Sequence, residues 1–311
     1  MSYSYDVKED ILKFNMNASA HLIELEAFLR LSSEIVLANP LKLVFSNSNL
    51  HIIRYYVSLI KKFYINSEYV IASHTMQKLK RQTIYSCTIT ASAQTIIEDL
   101  GLIQEGTNKK EDIIYNPDVI SAYLRGAFLA KGSVNDPITS NYHLEITTDK
   151  EVEALFIQRL MNYYELNARI AKRRNSLIIY IKEKDKIVEF LRRLGANVIM
   201  NEFENVLIKR QLSADVNRSL NIEVANQQKT NRSSLEQLKY IRYLEYNYPL
   251  EKLDPKLLLV MKVRKENPEA SFSELIVIIN NTYNENITKS GLNHRFRKIK
   301  EIALDFERRR Q

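Results

Sequence analysis

The stretch from Asn116 to Pro137 reads N-P-D-V-I-S-A-Y-L-R-G-A-F-L-A-K-G-S-V-N-D-P. Asparagine is a preferred helix cap, proline fits the first helical position and glycine commonly follows the last, so the sequence predicts a helix from Pro117 to Lys131. A glycine inside a helix costs ~1 kcal/mol relative to alanine. Gly126 therefore indicates that another element packs close to this helix, and a second helix of the same kind is the natural candidate.

The predicted elements around this helix form two similar halves, at about 15–110 and 116–202. In the first half a helix at Ser19–Ser32 precedes a strand at Leu41–Phe45, a helix at His51–Tyr64, two strands and a helix that ends at Gly101. The second half repeats this order, which gives the pattern α-β-α-β-β-α twice. The repetition predicts an α+β fold with internal pseudo-two-fold symmetry.

The leading helices of the two halves align without gaps, Leu25–Ser33 over Leu124–Gly132. Small residues coincide in this alignment, with Ala27 opposite Gly126. Helices that carry small residues at the same level can cross closely. We therefore expect the two halves to pack against each other through this helix pair.

Composition narrows the class of protein. A chain of 311 residues suggests two or three domains. No apolar run approaches the ~20 residues that a membrane-spanning helix needs, and the first residues are charged, so we expect neither a membrane partner nor a signal peptide. The single cysteine, Cys87, is expected in a buried strand and agrees with a reducing compartment. These features predict a cytoplasmic protein.

The charge of the chain is unevenly distributed. The net charge is +8, from 45 basic and 37 acidic residues, and a net +5 lies within residues 286–311. Such an excess favours an anionic partner, and its position predicts that the C-terminus binds this partner.

The C-terminal third is predicted to be helical. Residues 203–234 read as a helical and polar linker, in which the run N-Q-Q-K-T-N-R-S-S at Asn226–Ser234 suggests a hinge. Residues 235–311 then form an all-α domain. Within it Ser271 and Glu274 have the spacing of a capping box, so a helix should begin at Phe272. A short turn separates that helix from the last one.

The last helix has an apolar face and a polar, basic face. An apolar face that packs on earlier helices, with outward polar residues in the first turns, is typical of the recognition helix of a helix-turn-helix domain. Asparagine can pair with adenine and arginine with guanine, while Lys289, Arg295 and Lys298 can hold phosphates. An amphipathic helix with a solvated face, or one that docks a protein, is the alternative. The predicted contacts to double-stranded DNA are Lys289, Ser290, Asn293, His294, Arg295, Arg297 and Lys298.

Five more basic residues are candidates for additional DNA contacts. Two lie in a predicted hairpin and three on the long helix that follows Phe203, namely Arg173, Arg174, Lys209, Arg210 and Arg218. The five histidines are scattered without the spacing of metal ligands, and no glycine-rich phosphate loop or nucleophile motif occurs. The sequence therefore predicts no cofactor and no metal.

The phrase L-R-G-A-F-L-A-K-G at Leu124–Gly132 is similar to the LAGLIDADG motif, and Leu25–Ser33 resembles a degenerate first copy. In homing endonucleases with this motif, each helix ends in an acidic residue that holds a divalent metal. The matching positions here are Ser32 and Lys131, and a lysine would repel a magnesium ion. Asp136 lies in an N-D-P turn. No catalytic residue is therefore predicted, although an active magnesium-dependent homing endonuclease and an RNA maturase are kept as rival hypotheses.

The combination of motifs is more specific than any one of them. The LAGLIDADG-like pair, the phrase ending S-V-N-D-P, the stretch Asn217–Asn226 and the tail S-G-L-N-H-R-F-R-K-I together resemble the bacterial WhiA family over nearly the whole chain. The resemblance implies a non-catalytic endonuclease-like domain joined to a C-terminal helix-turn-helix. It also implies a nucleoid-associated DNA-binding regulator linked to cell division, chromosome segregation and, in spore formers, sporulation. The N-terminal domain would add DNA surface or contact a protein. Lys131 departs from the family pattern, which favours a small residue there.

Overall fold

A computed structural model describes residues 2–76, 82–104, 116–139 and 141–309. The chain divides into two compact units, with the division between Arg210 and Gln211. This point lies within the segment 203–234 that was predicted to connect the domains. The first unit contains helices and sheets and the second is helical, which confirms the predicted α+β class.

The first unit contains two halves with the same order of elements. Helix α1 (Tyr3–Lys13) precedes the first half, which consists of α2 (Ala18–Ser32), β1 (Ser33–Val36), β2 (Lys42–Asn47), α3 (Leu50–Phe63), β3 (Tyr69–Met76), β4 (Gln82–Ile89) and α4 (Ala93–Asp99). The second half consists of α5 (Pro117–Lys131), β5 (Gly132–Val134), β6 (Leu144–Thr148), α6 (Glu151–Tyr163), β7 (Arg169–Arg173), β8 (Ser176–Ile181) and α7 (Lys184–Leu194). The predicted end of the first half, up to 110, extends beyond the described residues.

Each half carries a four-stranded antiparallel sheet, in the orders β1-β2-β4-β3 and β5-β6-β8-β7. Each sheet therefore has one strand more than predicted. The strands that the prediction missed are β1 and β5, which follow directly on a helix and are only 4 and 3 residues long. So short a strand shows too little alternation to be recognised in the sequence. The helices pack on one face of the sheets, where Phe45 and Ile179 are fully buried.

Helices α2 and α5 cross closely, as the small residues predicted. A Cβ atom added to Gly126 would lie 2.2 Å from the Glu24 carbonyl oxygen and 3.0 Å from the Ala27 Cβ. Only glycine allows this approach of backbone to backbone. Asn116 caps α5 by accepting a hydrogen bond from the Asp118 N–H at 3.1 Å, and Pro117 occupies its first turn.

Charged groups are also buried at this crossing. Arg125 donates from Nε to Glu24 Oε1 at 3.1 Å and from Nη1 to the Phe14 carbonyl at 2.8 Å. The Tyr56 hydroxyl donates to the same Glu24 oxygen at 3.2 Å. Glu24 and Arg125 are 0% and 1% exposed. An ion pair this deeply buried helps to fix the register of two helices, since either charge alone would be costly.

The second unit is built from a long helix and three shorter ones. These are α8 (Asn197–Asn247), of which the part from Gln211 belongs to this unit, α9 (Pro255–Glu266), α10 (Phe272–Tyr283) and α11 (Lys289–Arg308). A single 3-10 turn, Leu250–Lys252, precedes α9. The core of the unit includes Ile241, Leu244, Val260, Met261, Leu275, Ile279, Leu292 and Ile299.

The stretch Asn226–Ser234 is helical in the structure and is not the hinge that its polar composition suggested. Residues 197–247 contain neither glycine nor proline, so nothing in this segment opposes a helix strongly. The Ser234 hydroxyl, which is 2% exposed, donates to the Pro268 carbonyl in the turn between α9 and α10. Ser234 thus joins the helix to its own unit, while most of the other residues of the stretch are exposed on a continuous helix.

Candidate nucleic-acid interface

The turn between α10 and α11 is held by side-chain hydrogen bonds. Asn284 ends α10 in the left-handed region, with φ of 50°. The Asn280 side chain accepts from the Ile287 N–H at 2.8 Å and donates to the Ile287 carbonyl at 3.2 Å. The Thr288 hydroxyl then caps α11 by accepting from the Gly291 N–H at 3.2 Å. These contacts fix where α11 begins relative to α10.

Helix α10 itself begins with the predicted capping box. The Ser271 hydroxyl accepts from the Glu274 N–H at 3.3 Å, while the Glu274 carboxylate accepts from the Ser271 N–H at 2.6 Å. Hydrogen bonds to the Glu274 carboxylate, first from the Ser271 backbone N–H and then from the Ser271 side chain, lower the pKa of this carboxyl. The predicted start of the helix-turn-helix is confirmed.

Helix α11 has the two faces that its sequence predicted. Leu292, Phe296, Ile299 and Ala303 are buried against the other helices, and Phe306 packs edge-on against Tyr248 at 5.2 Å. The predicted DNA contacts Lys289, Ser290, Asn293, His294, Arg297 and Lys298 are exposed. The outward residues of the first turns are thus displayed on a rigid support, as base-reading residues must be.

One predicted contact differs from the others. The Arg295 guanidinium forms an ion pair with Glu285 at 3.1 Å, and its side chain is only 16% exposed. Arg295 therefore holds the turn that precedes α11, and its charge is partly neutralised. Lys298 also pairs with an acidic residue, Glu301 at 3.7 Å, but its side chain is 55% exposed, so its ammonium group remains accessible.

The five additional basic residues lie on a strand, a turn and a helix. Arg173 and Arg174 are exposed at the β7–β8 turn, and Lys209 is exposed on α8. Arg210 donates to the Tyr142 hydroxyl at 3.0 Å and to the carbonyls of Ile138 and Thr139. Arg218 forms an ion pair with Asp215 on the same helix. Arg210 and Arg218 are therefore engaged within their own units.

A cleft of about 330 Å³ lies where α2 and α5 end. Its lining includes Ser32, Lys131 and Lys150. The Ser32 hydroxyl donates to the Phe28 carbonyl at 2.6 Å, while Lys131 is exposed. Burial and the neighbouring charge of Lys131 lower the pKa of the Lys8 ammonium to about 8. Glu34 and Asp149 also line the cleft, but the two positions that match the endonuclease carboxylates are Ser32 and Lys131, and neither offers the carboxylate that a divalent cation requires.

Asp136 lies in the turn that follows β5, as predicted. Its carboxylate accepts from the Ile138 N–H at 2.8 Å, and its carbonyl accepts from the Thr139 N–H at 2.9 Å. These bonds account for the residue as a turn former. Within the described part of the chain, no three histidine, cysteine or acidic residues are grouped so that they could hold a metal ion.

Three domain models of known protein families match ranges of this chain, two of them mainly in the first unit and one in the second. Residues 18–103 match the WhiA N-terminal LAGLIDADG-like domain, residues 120–213 the WhiA LAGLIDADG-like domain, and residues 216–303 the WhiA C-terminal helix-turn-helix domain. The chain belongs to the WhiA family. Curated WhiA relatives from Staphylococcus epidermidis and Staphylococcus carnosus are each 36% identical over 307 residues, which is 97% of this chain and 96% of theirs. Both are described as a probable cell division protein WhiA.

Solved WhiA structures share the fold. The crystal structure of full-length DUF199/WhiA from Thermatoga maritima aligns with a TM-score of 0.61 and 25% identity, covering 98% of this chain and 99% of that one. A structure of the N-terminal LAGLIDADG domain of DUF199/WhiA aligns with a TM-score of 0.51 over 62% of this chain, at 23% identity. In the ranges that the structure describes, none of the helices is long and apolar enough to span a membrane.

Sequence reasoning missed residues that position α11. Asn280 and Glu285 were not singled out, although one fixes the α10–α11 turn and the other pairs with Arg295. A short polar segment between two helices was a signal that capping contacts should be sought there. The partners of these contacts became visible only in the folded chain.

Proposed function

We propose that this chain is a DNA-binding transcription regulator that binds duplex DNA in a sequence-specific manner through the first turns of α11. The observation that carries the proposal is the pair of faces on that helix. Leu292 and Phe296 anchor it to the core, while Asn293 and Arg297 face outward at neighbouring levels. Both side chains can form bidentate contacts with base edges in a major groove.

The biological setting follows from the family. Curated relatives are described as probable cell division proteins, so we place the regulated genes in cell division and chromosome segregation and, in spore formers, in sporulation. The protein would act in the cytoplasm, on the nucleoid. Mapping of bound DNA across the genome tests this setting, since sites unrelated to such genes would contradict it.

The N-terminal unit is proposed to be a non-cleaving scaffold that adds DNA surface or contacts a protein. Ser32 and Lys131 occupy the helix ends at which a nuclease needs carboxylates, and the neighbouring Lys8 and Lys150 add positive charge. Incubating the full-length protein with a duplex library and magnesium tests this part. Cleavage that is abolished by a chelator would identify a nuclease instead.

The DNA-binding proposal is tested with duplexes selected from a random pool by the full-length protein. Replacing Asn293 or Arg297 by alanine should cost ~1 to 3 kcal/mol at the selected site and relax the preference at one position. Lys239→Ala, an exposed change on α8, serves as the control. Unchanged binding and unchanged preference in both variants would show that α11 does not read bases. A preference for structured RNA over duplex DNA would favour a maturase-like role.

A further inference from the structure

A cleft of about 500 Å³ lies entirely within the second unit, between α8 and the beginnings of α10 and α11. Its lining combines cations with hydroxyl groups, without a carboxylate among the described lining residues. The cations and hydroxyl groups of the lining include those of Lys229, Ser233, Arg264, Ser271, Ser273 and Lys289. Such a lining is suited to an anion with several acceptor oxygens.

Arg264 is the most unusual residue of this cleft. It is 1% exposed, and among the described residues no carboxylate pairs with it. Its Nη1 donates to the Ala270 carbonyl at 2.6 Å and the Asn267 carbonyl at 3.3 Å, while its buried Nε has no partner in the described chain. Burial lowers the pKa of the guanidinium to about 10. The two carbonyls and the Phe296 ring, whose centroid is 5.6 Å from the guanidinium carbon, offset part of the cost of burying this cation, and a bound anion would offset more of it.

The start of α10 adds a second feature that attracts anions. The first N–H groups of a helix have no intrahelical acceptor, and the helix dipole places partial positive charge there. The capping box uses the N–H groups of Ser271 and Glu274, which leaves those of Phe272 and Ser273 without an acceptor among the described residues. The Glu274 carboxylate is hydrogen bonded to Ser271 and does not line the cleft.

We propose that this cleft binds a phosphate group, held by Arg264 and the start of α10 and flanked by Lys229 and Lys289. Lys289 is also the first residue of α11, so a phosphate bound here lies next to the helix that is proposed to read bases. The phosphate is either one of the DNA backbone or that of a free phosphorylated molecule. In the first case the inference rests on the proposed DNA binding. The polar stretch Asn226–Ser234 of α8 then has a function, since its Lys229 contributes a positive charge to the phosphate site.

The test uses the full-length protein with Lys229→Ala, and with Lys239→Ala as a matched control on the same helix. Binding to a random duplex and to a selected duplex is measured at several salt concentrations. Loss of one backbone phosphate contact should lower the slope of log K against log salt by about 0.9, which is roughly fivefold in affinity at about 0.15 M salt. Both duplexes should be weakened equally, because a backbone contact carries no sequence information.

A second arm measures thermal unfolding with inorganic phosphate against chloride at equal ionic strength. If phosphate stabilises the wild type but not Lys229→Ala, while DNA binding is equal in the two, the ligand is a free phosphorylated molecule. If the wild type binds no duplex, the proposed function fails and the phosphate arm alone decides the cleft. Equal behaviour of Lys229→Ala and the wild type in both arms would overturn the site. Arg264→Lys is compared in the same way, after circular dichroism has shown that it folds.

Discussion

Gly126→Ala is the substitution that tests the architecture of the first unit most directly. The added methyl group would lie 2.2 Å from the Glu24 carbonyl oxygen and 3.0 Å from the Ala27 Cβ, well inside van der Waals contact. The first obstacle is backbone, which cannot rotate away as a side chain can. Helices α2 and α5 would have to separate by about 1 Å, and the Arg125–Glu24 ion pair at 3.1 Å would be strained.

The magnitude follows from two opposing terms. Overpacking of a tight interior contact costs ~1 to 3 kcal/mol, and a rigid backbone obstacle favours the upper end. Replacing a helical glycine by alanine returns ~1 kcal/mol through helix propensity. We therefore expect a net loss of about 2 kcal/mol in the free energy of unfolding of the first unit.

Urea denaturation followed by far-ultraviolet circular dichroism measures this loss, since the chain has no tryptophan for fluorescence. The matched control is Gly291→Ala in α11, where the added Cβ would lie 3.4 Å from Ile287 and 3.5 Å from Thr288, in ordinary contact. That change should be neutral or stabilise the second unit by up to ~1 kcal/mol. If Gly126→Ala is as stable as the wild type, the helices do not cross at this glycine.

Three further predictions concern buried groups. Arg125→Met should destabilise the first unit by ~3 to 5 kcal/mol in urea denaturation, because the buried Glu24 loses its arginine and keeps only His21 and two tyrosine hydroxyls as partners. A loss below ~1 kcal/mol would contradict this. The Cys87 thiol, whose pKa burial raises to about 12, should react with a thiol reagent at about pH 8 only after unfolding, so rapid labelling of the folded protein would disprove the burial. Lys8 has a pKa of about 8 against its ordinary 10.5, so the unfolded state binds more protons between these values and stability should rise with pH across that window. Lys131→Ala should make this rise shallower by removing a repulsive charge, and identical slopes in the two proteins would exclude that cause.

The helix boundaries show how far local rules extend. Helix α5 runs from Pro117 to Lys131 as predicted, because its cap and first-turn proline act within a few residues of chain. The continuity of α8 through Asn226–Ser234 was missed because polar composition was taken to indicate a hinge, although the segment contains neither glycine nor proline and Ser234 contacts Pro268. Local composition describes a residue's preference for water but not which neighbours the folded chain provides.

The candidate site was also predictable only as far as it depends on spacing along one helix. The spacing of Leu292, Phe296 and Ile299 determines which side of α11 is buried, so the exposed Asn293 and Arg297 could be assigned from sequence. The ion pair of Arg295 could not be predicted from the sequence, because its partner Glu285 belongs to the preceding turn and the pairing depends on how that turn is folded.

The sequence by itself determined the helical and strand periodicities, the pseudo-two-fold repeat, the close approach at Gly126 and the two faces of α11. These depend on spacing along one element, where a period of 3.6 or 2 residues sets which side chains share a face. The tertiary structure alone decided that Arg264 is buried without a carboxylate in the described chain and that Lys229 and Lys289 flank it. These residues come from three different helices, and only the packing of those helices places their charges together.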